Sequence, residues 1–342
     1  MSESQADCSV GEAYFLQYFS PEFGQYSIAD EELHPHDRLK KPHYALTETQ
    51  YYGFFVPEYN IHCFTWIWCH PNLDTVTGGT MAWQGVKPRS LACELFDYRN
   101  FMSADIFRDG FMNYKLDSGI AVKMTEPGKC FHLSYDDPSR GNSFNVVQTA
   151  VSEPLMWPTS NHFEQVMKCE GQITLRGQMY EVDCFSVRDR SFGEYRLEAS
   201  IAKMPPNYWV TGVFDEEFSF CIVGMDHPDH DAFWKGEFDI SEDASLRFGW
   251  LIYDGKKSTI SKAVIRTDYD RQNLFVKKMS ITLTDAGGRV LEIVGEVGAV
   301  TPFEAWMNTR VPIALVHWTC QGKRGVGEIQ SAQFTDFLCA YS

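Results

Sequence analysis

Residues 111–149 read FMNYKLDSGIAVKMTEPGKCFHLSYDDPSRGNSFNVVQT, four short apolar-rich runs separated by three tight breaks. The runs are Phe111–Leu116, Ile120–Thr125, Cys130–Tyr135 and Phe144–Thr149. The breaks are Asp117-Ser118-Gly119, Glu126-Pro127-Gly128-Lys129 and the six residues from Asp136 to Gly141. Glycine, proline, aspartate and serine each favour a chain reversal for a different physical reason, and all are concentrated in these breaks. Alternation of apolar and polar residues with period two marks strands. The segment therefore predicts a meander of antiparallel strands.

The same texture continues on both sides. Ile61–His70, IHCFTWIWCH, places His62, Phe64, Trp66, Trp68 and His70 on one face and Cys63, Thr65, Ile67 and Cys69 on the other. Downstream, Tyr208–Phe214 and Phe218–Val223 flank Asp215-Glu216-Glu217, and Leu246–Tyr253 meets Asp254-Gly255-Lys256 before Thr259–Arg266. Lys278–Thr284 turns through Asp285-Ala286-Gly287-Gly288 into Val290–Val297. Helical periodicity is scarce. Thr301-Pro302-Phe303-Glu304 has the form of a helix start, with an N-cap Thr, a proline at the first position and a capping-box Glu. Leu91–Phe107 is a second expected helix. The fold class is all-β, with two β-rich halves of barrel or sandwich size in tandem. The expected domains are 1–185 and 186–342. No linker-like stretch separates them, so they are expected to pack against each other. A weak internal echo supports duplication: Gly171–Gly177 closes the first half as Gly322–Ile329 closes the second.

Composition narrows the function classes. The 342 residues carry 30 Lys plus Arg against 46 Asp plus Glu, a formal charge of −16. That disfavours nucleic acid and anionic membranes as main partners, because both require clustered positive charge. The hydrophobic fraction of 44% supports a sizeable core, and no apolar run approaches the roughly 20 residues of a membrane helix. Aromatic residues make up 15%, which suits strands, a hydrophobic cavity, or both. The ten cysteines form no C-x-x-C pair, and MSESQADCSV has no apolar secretory region. The expectation is a cytoplasmic protein with reduced thiols, most of them serving as small buried hydrophobes.

The most unusual segment is Val187–Arg196, which sets Arg188, Arg190 and Arg196 around Asp189 and Glu194. In an extended strand Arg188 and Arg190 project to one side and Asp189 to the other. Two readings stand side by side. The segment positions a carbonyl or hydroxyl in an aromatic cavity, or it is a structural ion-pair knot at the domain junction.

Asn161-His162-Phe163-Glu164-Gln165, Gly171-Gln172-Ile173 with Gly177, and Arg188-Asp189-Arg190-Ser191-Phe192-Gly193 together resemble a pattern in the tandem lipocalin-like superfamily. That group includes the hydroxyneurosporene synthase (carotenoid 1,2-hydratase) family, AttH-like proteins and fungal cyclases described as Diels–Alderases. The resemblance is greatest to bacterial members with an R-D-H-S-W-G-x-R stretch. This chain has Arg190 for the His and Phe192 for the Trp, and keeps the final arginine as Arg196. Glu48-Thr49-Gln50-Tyr51-Tyr52 and Gly322–Glu328 also fit, so the likeness spans roughly residues 30 to 335. It implies two lipocalin-like antiparallel β-barrels, a hydrophobic substrate, and chemistry without organic cofactors.

Acid/base candidates surround the motif. His162 and Glu164 are two apart and share a strand face, so they form a proton-passing pair or a plain hydrogen-bonded one. Asp189 is the leading single candidate. Glu328 follows a glycine-rich strand entry and is expected to point into the second barrel, or to be a solvated strand carboxylate; Glu48 has the same standing. Trp66 and Trp68, with His62 and His70 at the ends, are candidates for a substrate-binding wall or for core packing. Tyr52, Trp83, Trp209 and Trp250 are further candidates. Parity gives a shared face but does not tell inside from outside.

No metal site is expected. Cys63 and Cys69 are six residues apart and so roughly 20 Å apart on a strand, too far for one zinc ion. Asp226-His227-Pro228-Asp229-His230-Asp231 reads as a solvated loop between strands, or as a place for an adventitious divalent ion. No G-x-G-x-x-G after a strand, no P-loop and no G-x-S-x-G occurs. The function expected is a cofactor-independent lyase, hydratase or isomerase, or a cyclase, acting on a hydrophobic oxygenated small molecule through general acid/base groups. The alternative is a non-catalytic carrier or sensor of such a ligand, and a scaffold with an acidic surface is a third reading.

Overall fold

The computed structural model describes residues 22–27, 44, 46–195, 205–227, 229–230, 245–306 and 309–340. The chain divides into two compact units, Phe23–Arg196 and a second that carries Leu197–Ser342. Both are built from antiparallel strands. Residue 185, where the sequence reading sets the boundary, lies within a strand that runs unbroken from Gln178 to Tyr195.

The first unit holds β1 (Leu46–Val56), β2 (Ile61–His70), β3 (Thr75–Gln84), β4 (Leu95–Ser103) and β5 (Asn113–Lys115). It continues with β6 (Ala121–Glu126), β7 (Cys130–Asp137), β8 (Asn142–Ala150), β9 (Leu155–Met156), β10 (His162–Leu175) and β11 (Gln178–Tyr195). The meander expected over 111–149 is β5 to β8. The sheet order is β4-β3-β2-β1-β11-β10-β8-β7-β6-β5, with β9 added beside β10. The sheet curls until its inner face meets itself. Phe54 of β1 packs edge-on against Phe144 of β8 at 5.4 Å, and Tyr52 packs against Phe131 of β7 at 5.7 Å. The end strands β4 and β5 do not ladder to each other, so this unit is an open, barrel-like sheet. Side chains link β4 to the far strands instead. Tyr135 donates to Asp97 at 3.1 Å, and Asn142 Nδ2 donates to the carbonyl of Glu94 at 2.9 Å.

β1 pairs with β11 only as far as Tyr51 opposite Asp189. Beyond that point its backbone needs other partners, because buried amide groups are costly to leave unpaired. Gln148 Nε2 donates to the Gly53 carbonyl at 2.8 Å, and the Phe55 amide donates to Cys184 Sγ at 3.3 Å.

The second unit is a closed eight-stranded barrel. Its strands are β12 (Asn207–Asp215), β13 (Phe218–Gly224), β14 (Leu246–Tyr253), β15 (Lys256–Asp270), β16 (Phe275–Asp285), β17 (Val290–Trp306), β18 (Thr309–Cys320) and β19 (Lys323–Phe334). Its inward residues form a continuous apolar core that includes Val210, Phe220, Leu251, Ile281, Trp318 and Ile329. The echo noted in the sequence falls on the last hairpin of each unit, β10–β11 and β18–β19. Arg176-Gly177 and Gln321-Gly322 form their turns, with φ of 51° and 85°, and 49° and 80°. Two consecutive positive φ values define the primed turn whose twist matches a two-residue hairpin.

Both expected helices are corrected. Leu91–Phe107 contains a 3-10 turn at Ser90–Ala92, strand β4 and another 3-10 turn at Ala104–Phe107. Its aromatic residues suit an edge strand laddered on β3. Thr301–Glu304 lies inside β17, where Pro302 stands opposite Pro312 of β18. A capping signature starts a helix only when an amphipathic helical run follows, and here the barrel ladder continues. No helix among the described residues is long and apolar enough to cross a membrane.

Candidate functional site

Strand register assembles the candidate residues on two opposite faces of the first sheet. Trp66, Tyr51, Asp189 and Glu164 form one row across β2, β1, β11 and β10. Trp68, Thr49, Ser191 and His162 form the next row on the same face. Glu164 therefore stands directly opposite Asp189, and His162 lies one step along β10 from Glu164. Thr49 and Ser191 share a hydroxyl–hydroxyl bond of 2.7 Å between the rows' inner strands.

Within this face, His162 Nε2 lies 3.2 Å from Glu164 Oε1. The indole Nε1 of Trp157 lies 3.0 Å from both Glu164 oxygens, and its ring meets His162 edge-on at 4.9 Å. Glu164 is 0% exposed and His162 3%, whereas Asp189 and Trp66 are half-buried. The carboxylate is thus held behind the more accessible members of the row. Trp157 reaches it because β9 and β10 form a tight hairpin, with Leu155 opposite Glu164 and the Trp157 amide bonded to the His162 carbonyl at 2.8 Å.

The aromatic candidates on β2 share this face. Trp66 and Trp68 lie 5.5 Å apart, Trp68 and His70 4.5 Å, and His62 meets Trp83 of β3 at 4.5 Å. All five share the sheet face of the His162–Glu164–Asp189 group, with His62 and Trp83 four residues along their strands from the Trp66 row.

Arg188 and Arg190 project to the inner face, as alternation requires. Arg188 Nε and Nη2 both donate to Gln165 Oε1, at 2.9 and 2.6 Å, and its guanidinium lies 4.3 Å from the Phe131 ring. Arg190 Nη2 donates to Glu48 at 3.1 Å and lies 4.7 Å from the Phe111 ring. The carboxylate facing Arg190 on the inner side is Glu48, while Asp189 sits on the opposite face. Gln50 Oε1 accepts from Tyr52 at 3.2 Å and from Tyr114. Burial, and secondarily the Glu48 charge, push the Cys69 thiol up to about 12. Arg196 lies outside the described residues.

Three candidates belong to the second unit. Glu328 follows neither alternative in full: its neighbour Ile329 joins the inward core, so Glu328 faces outward, yet it is only 4% exposed and accepts from Gln330. Trp209 and Trp250 also face away from that core; Trp250 is fully buried and Trp209 half-buried. In the 226–231 segment, Pro228 and Asp231 lie outside the described residues. The Asp226 oxygens accept from the Tyr208 and Thr267 hydroxyls at 2.9 and 2.7 Å. Among the described residues no group of three His, Cys, Asp or Glu is placed to hold a metal ion.

Sequence reasoning missed Trp157, Gln165 and Tyr114. A two-residue strand such as β9 is too short to show periodicity, so the turn residues Thr159-Ser160-Asn161 were the one available signal for Trp157.

A curled antiparallel sheet and a closed eight-stranded barrel in one chain make a tandem lipocalin-like fold. The chain belongs to the DUF7064 family, a domain of unknown function, whose profile matches residues 28–335. An AttH-like protein from Nitrosomonas europaea has a similar structure, with a TM-score of 0.57 at 10% identity over 93% of this chain and 99% of that one. Kievitone hydratase from Nectria haematococca gives 0.53 at 9% identity, over 94% of this chain and 99% of that one. CghA gives 0.53 at 9% identity, over 85% and 89%. At such identities the likeness is one of fold. No curated protein matches the chain.

Proposed function

We propose that this protein is a cofactor-independent enzyme of the lyase, hydratase or isomerase type, cyclisation included, acting on a hydrophobic oxygenated small molecule. The observation that carries the reading is the row Asp189–Glu164 with His162 beside it, bordered by Trp66 and Trp68 on one sheet face. Two carboxyl groups and an imidazole within one strand step can hold and pass protons, and aromatic walls exclude bulk water from the reacting atoms. In this reading half-buried Asp189 touches the substrate and protonates its alkene or carbonyl. His162 takes the proton from water or from a carbon acid. Glu164, fixed by the Trp157 indole, orients the imidazole and balances the charge it gains. Arg188 and Arg190, on the inner face, keep the strand in place. A structural relative named as a hydratase supports the reaction class at the level of fold.

The test is incubation with terpenoids, steroids, phenolics and polyketide-like compounds, followed by chromatography and high-resolution mass spectrometry. A product differing by one water, or by retention time alone, is expected. Asp189→Asn and Glu164→Gln should each abolish it while the fold persists. Full activity in both variants sinks the residue assignment, and a compound that binds but never changes favours the carrier.

A further inference from the structure

Tyr51 occupies the middle of the Trp66–Tyr51–Asp189 row, yet its side chain does not stand upright there. Its ring meets Phe64 at 5.1 Å, and Phe64 stands opposite Gly53, two residues further along β1. A Cβ placed on Gly53 would overlap the Tyr51 hydroxyl. The ring therefore reclines along its own strand and lies low over the glycine. Gly53 has no positive φ, so what the position requires is space and not an unusual backbone conformation. A glycine inside a strand costs conformational entropy and packs no side chain, and it marks a place where another group approaches closely.

The consequence falls on the acid/base face. Asp189 and Trp66 are half-buried, whereas Tyr51 between them is 5% exposed. The three side chains trace a trough, with a carboxyl on one wall, an indole on the other and a phenol ring low on the floor. The backbones of the two walls are two strand spacings apart, about 10 Å. An upright tyrosine would fill that span. Recline in the other direction is closed, because Thr49 lies there, 2% exposed and bonded to Ser191 at 2.7 Å.

We infer that Gly53 determines which substrates this face accepts, by keeping Tyr51 down, and that the trough takes a planar unsaturated ring in preference to a saturated or branched skeleton. The inference rests on the proposed acid/base site and adds the shape of its substrate. A flat ring stacks on the floor and brings one edge to Asp189. A puckered ring of the same size touches the floor at a few atoms only. A side chain at position 53 raises Tyr51 into the span. The overlap is relieved by the far end of a side chain and not by backbone, so the fold persists.

The full chain is titrated by calorimetry with 2-naphthol and with decahydro-2-naphthol, its saturated, puckered counterpart. The flat compound should bind about three- to tenfold tighter. Gly53→Ala should weaken 2-naphthol at least about fivefold and remove the preference. Tyr51→Leu, which takes away the floor ring, should bring the two affinities within about twofold. In that background, with no ring to raise, Gly53→Ala should cost less than about twofold more. Trp66→Ala should weaken 2-naphthol, which places the probe between the walls. Urea denaturation checks the fold of each variant, and Tyr51→Leu alone carries the test if Gly53→Ala does not fold. The inference is overturned if neither compound binds, if the saturated one binds as tightly, or if Trp66→Ala or a folded Gly53→Ala leaves affinity unchanged. An equal loss from Gly53→Ala in both backgrounds also overturns it, because the glycine would then act through something other than Tyr51. The expected pattern combined with no turnover of any compound leaves the trough standing and removes the proposed enzyme. Turnover that Asp189→Asn abolishes, without preference for the flat probe, does the reverse.

Discussion

The indole Nε1 of Trp157 lies 3.0 Å from each carboxylate oxygen of Glu164, a bifurcated contact to a side chain with no exposed surface. A buried carboxylate depends on such donors. Trp157→Phe keeps the ring and removes the donor. It should lower unfolding stability by about 1–3 kcal/mol, measured by urea denaturation. An unchanged midpoint and slope would show that the indole does not support Glu164.

The Glu48–Arg190 pair is buried on both sides, each side chain 1% exposed. Removing one partner leaves a charge in an apolar interior. Glu48→Ala should therefore cost about 3–5 kcal/mol, and an apolar double replacement at 48 and 190 should recover most of that loss. A double-mutant cycle measures the coupling directly. Additive single losses would show that the pair does not act as a unit.

Cys63 and Cys69 have thiols pushed up to about 12, burial being the main cause for both. A folded-state value above the unfolded one contributes stability below the unfolded value and loses it as pH rises toward the folded one. Stability should fall between pH of about 9 and 12, by up to about 1.4 kcal/mol per pH unit for each thiol. Chemical denaturation across that range should show a shallower fall in the variant carrying Cys63→Ala and Cys69→Ala. Equal slopes would refute the assignment.

Gly322 has φ of 80° and open space where a Cβ would sit, so its requirement is conformational and not steric crowding. Gly322→Ala should cost about 1 kcal/mol, and Gly322→Asn, which enters the left-handed region more readily, should cost less. Thermal unfolding of the two variants gives the order, and the reverse order would contradict the turn type.

The strands were legible wherever their determinants are local. Asp117–Gly119 and Asp254-Gly255 announce reversals through the few residues that make them, and alternation then fixes which side chains share a face. Parity correctly separated Asp189 from Arg188 and Arg190. It could not show that Arg188 meets Gln165 or that Arg190 meets Glu48, because those contacts are set by strand order, which joins residues 23 and 142 apart in sequence. Nor could it show which face turns inward, and so it left Glu328 between the barrel interior, which Ile329 occupies, and solvent. Thr301–Glu304 misled because its capping pattern is a local rule, overridden by the β18 ladder, in which Thr301, Pro302 and Phe303 stand opposite Ile313, Pro312 and Val311.

Among the described strands β1 comes first in sequence, yet its pairing on one side waits for β11. During synthesis, β1 to β10 leave the ribosome before that partner exists, so β1 and β10 both carry an open hydrogen-bonding edge for most of the time the unit is being made. Closing so distant a contact is slow, and an uncovered edge recruits other chains. The β10–β11 hairpin, with its two-residue turn, is the piece that forms locally and fast. The assembly order is therefore written into the sheet: β1, the earliest described strand, gains its second neighbour only when β11 is made, and a chain that stops before Gln178 carries both unsealed edges into the cell.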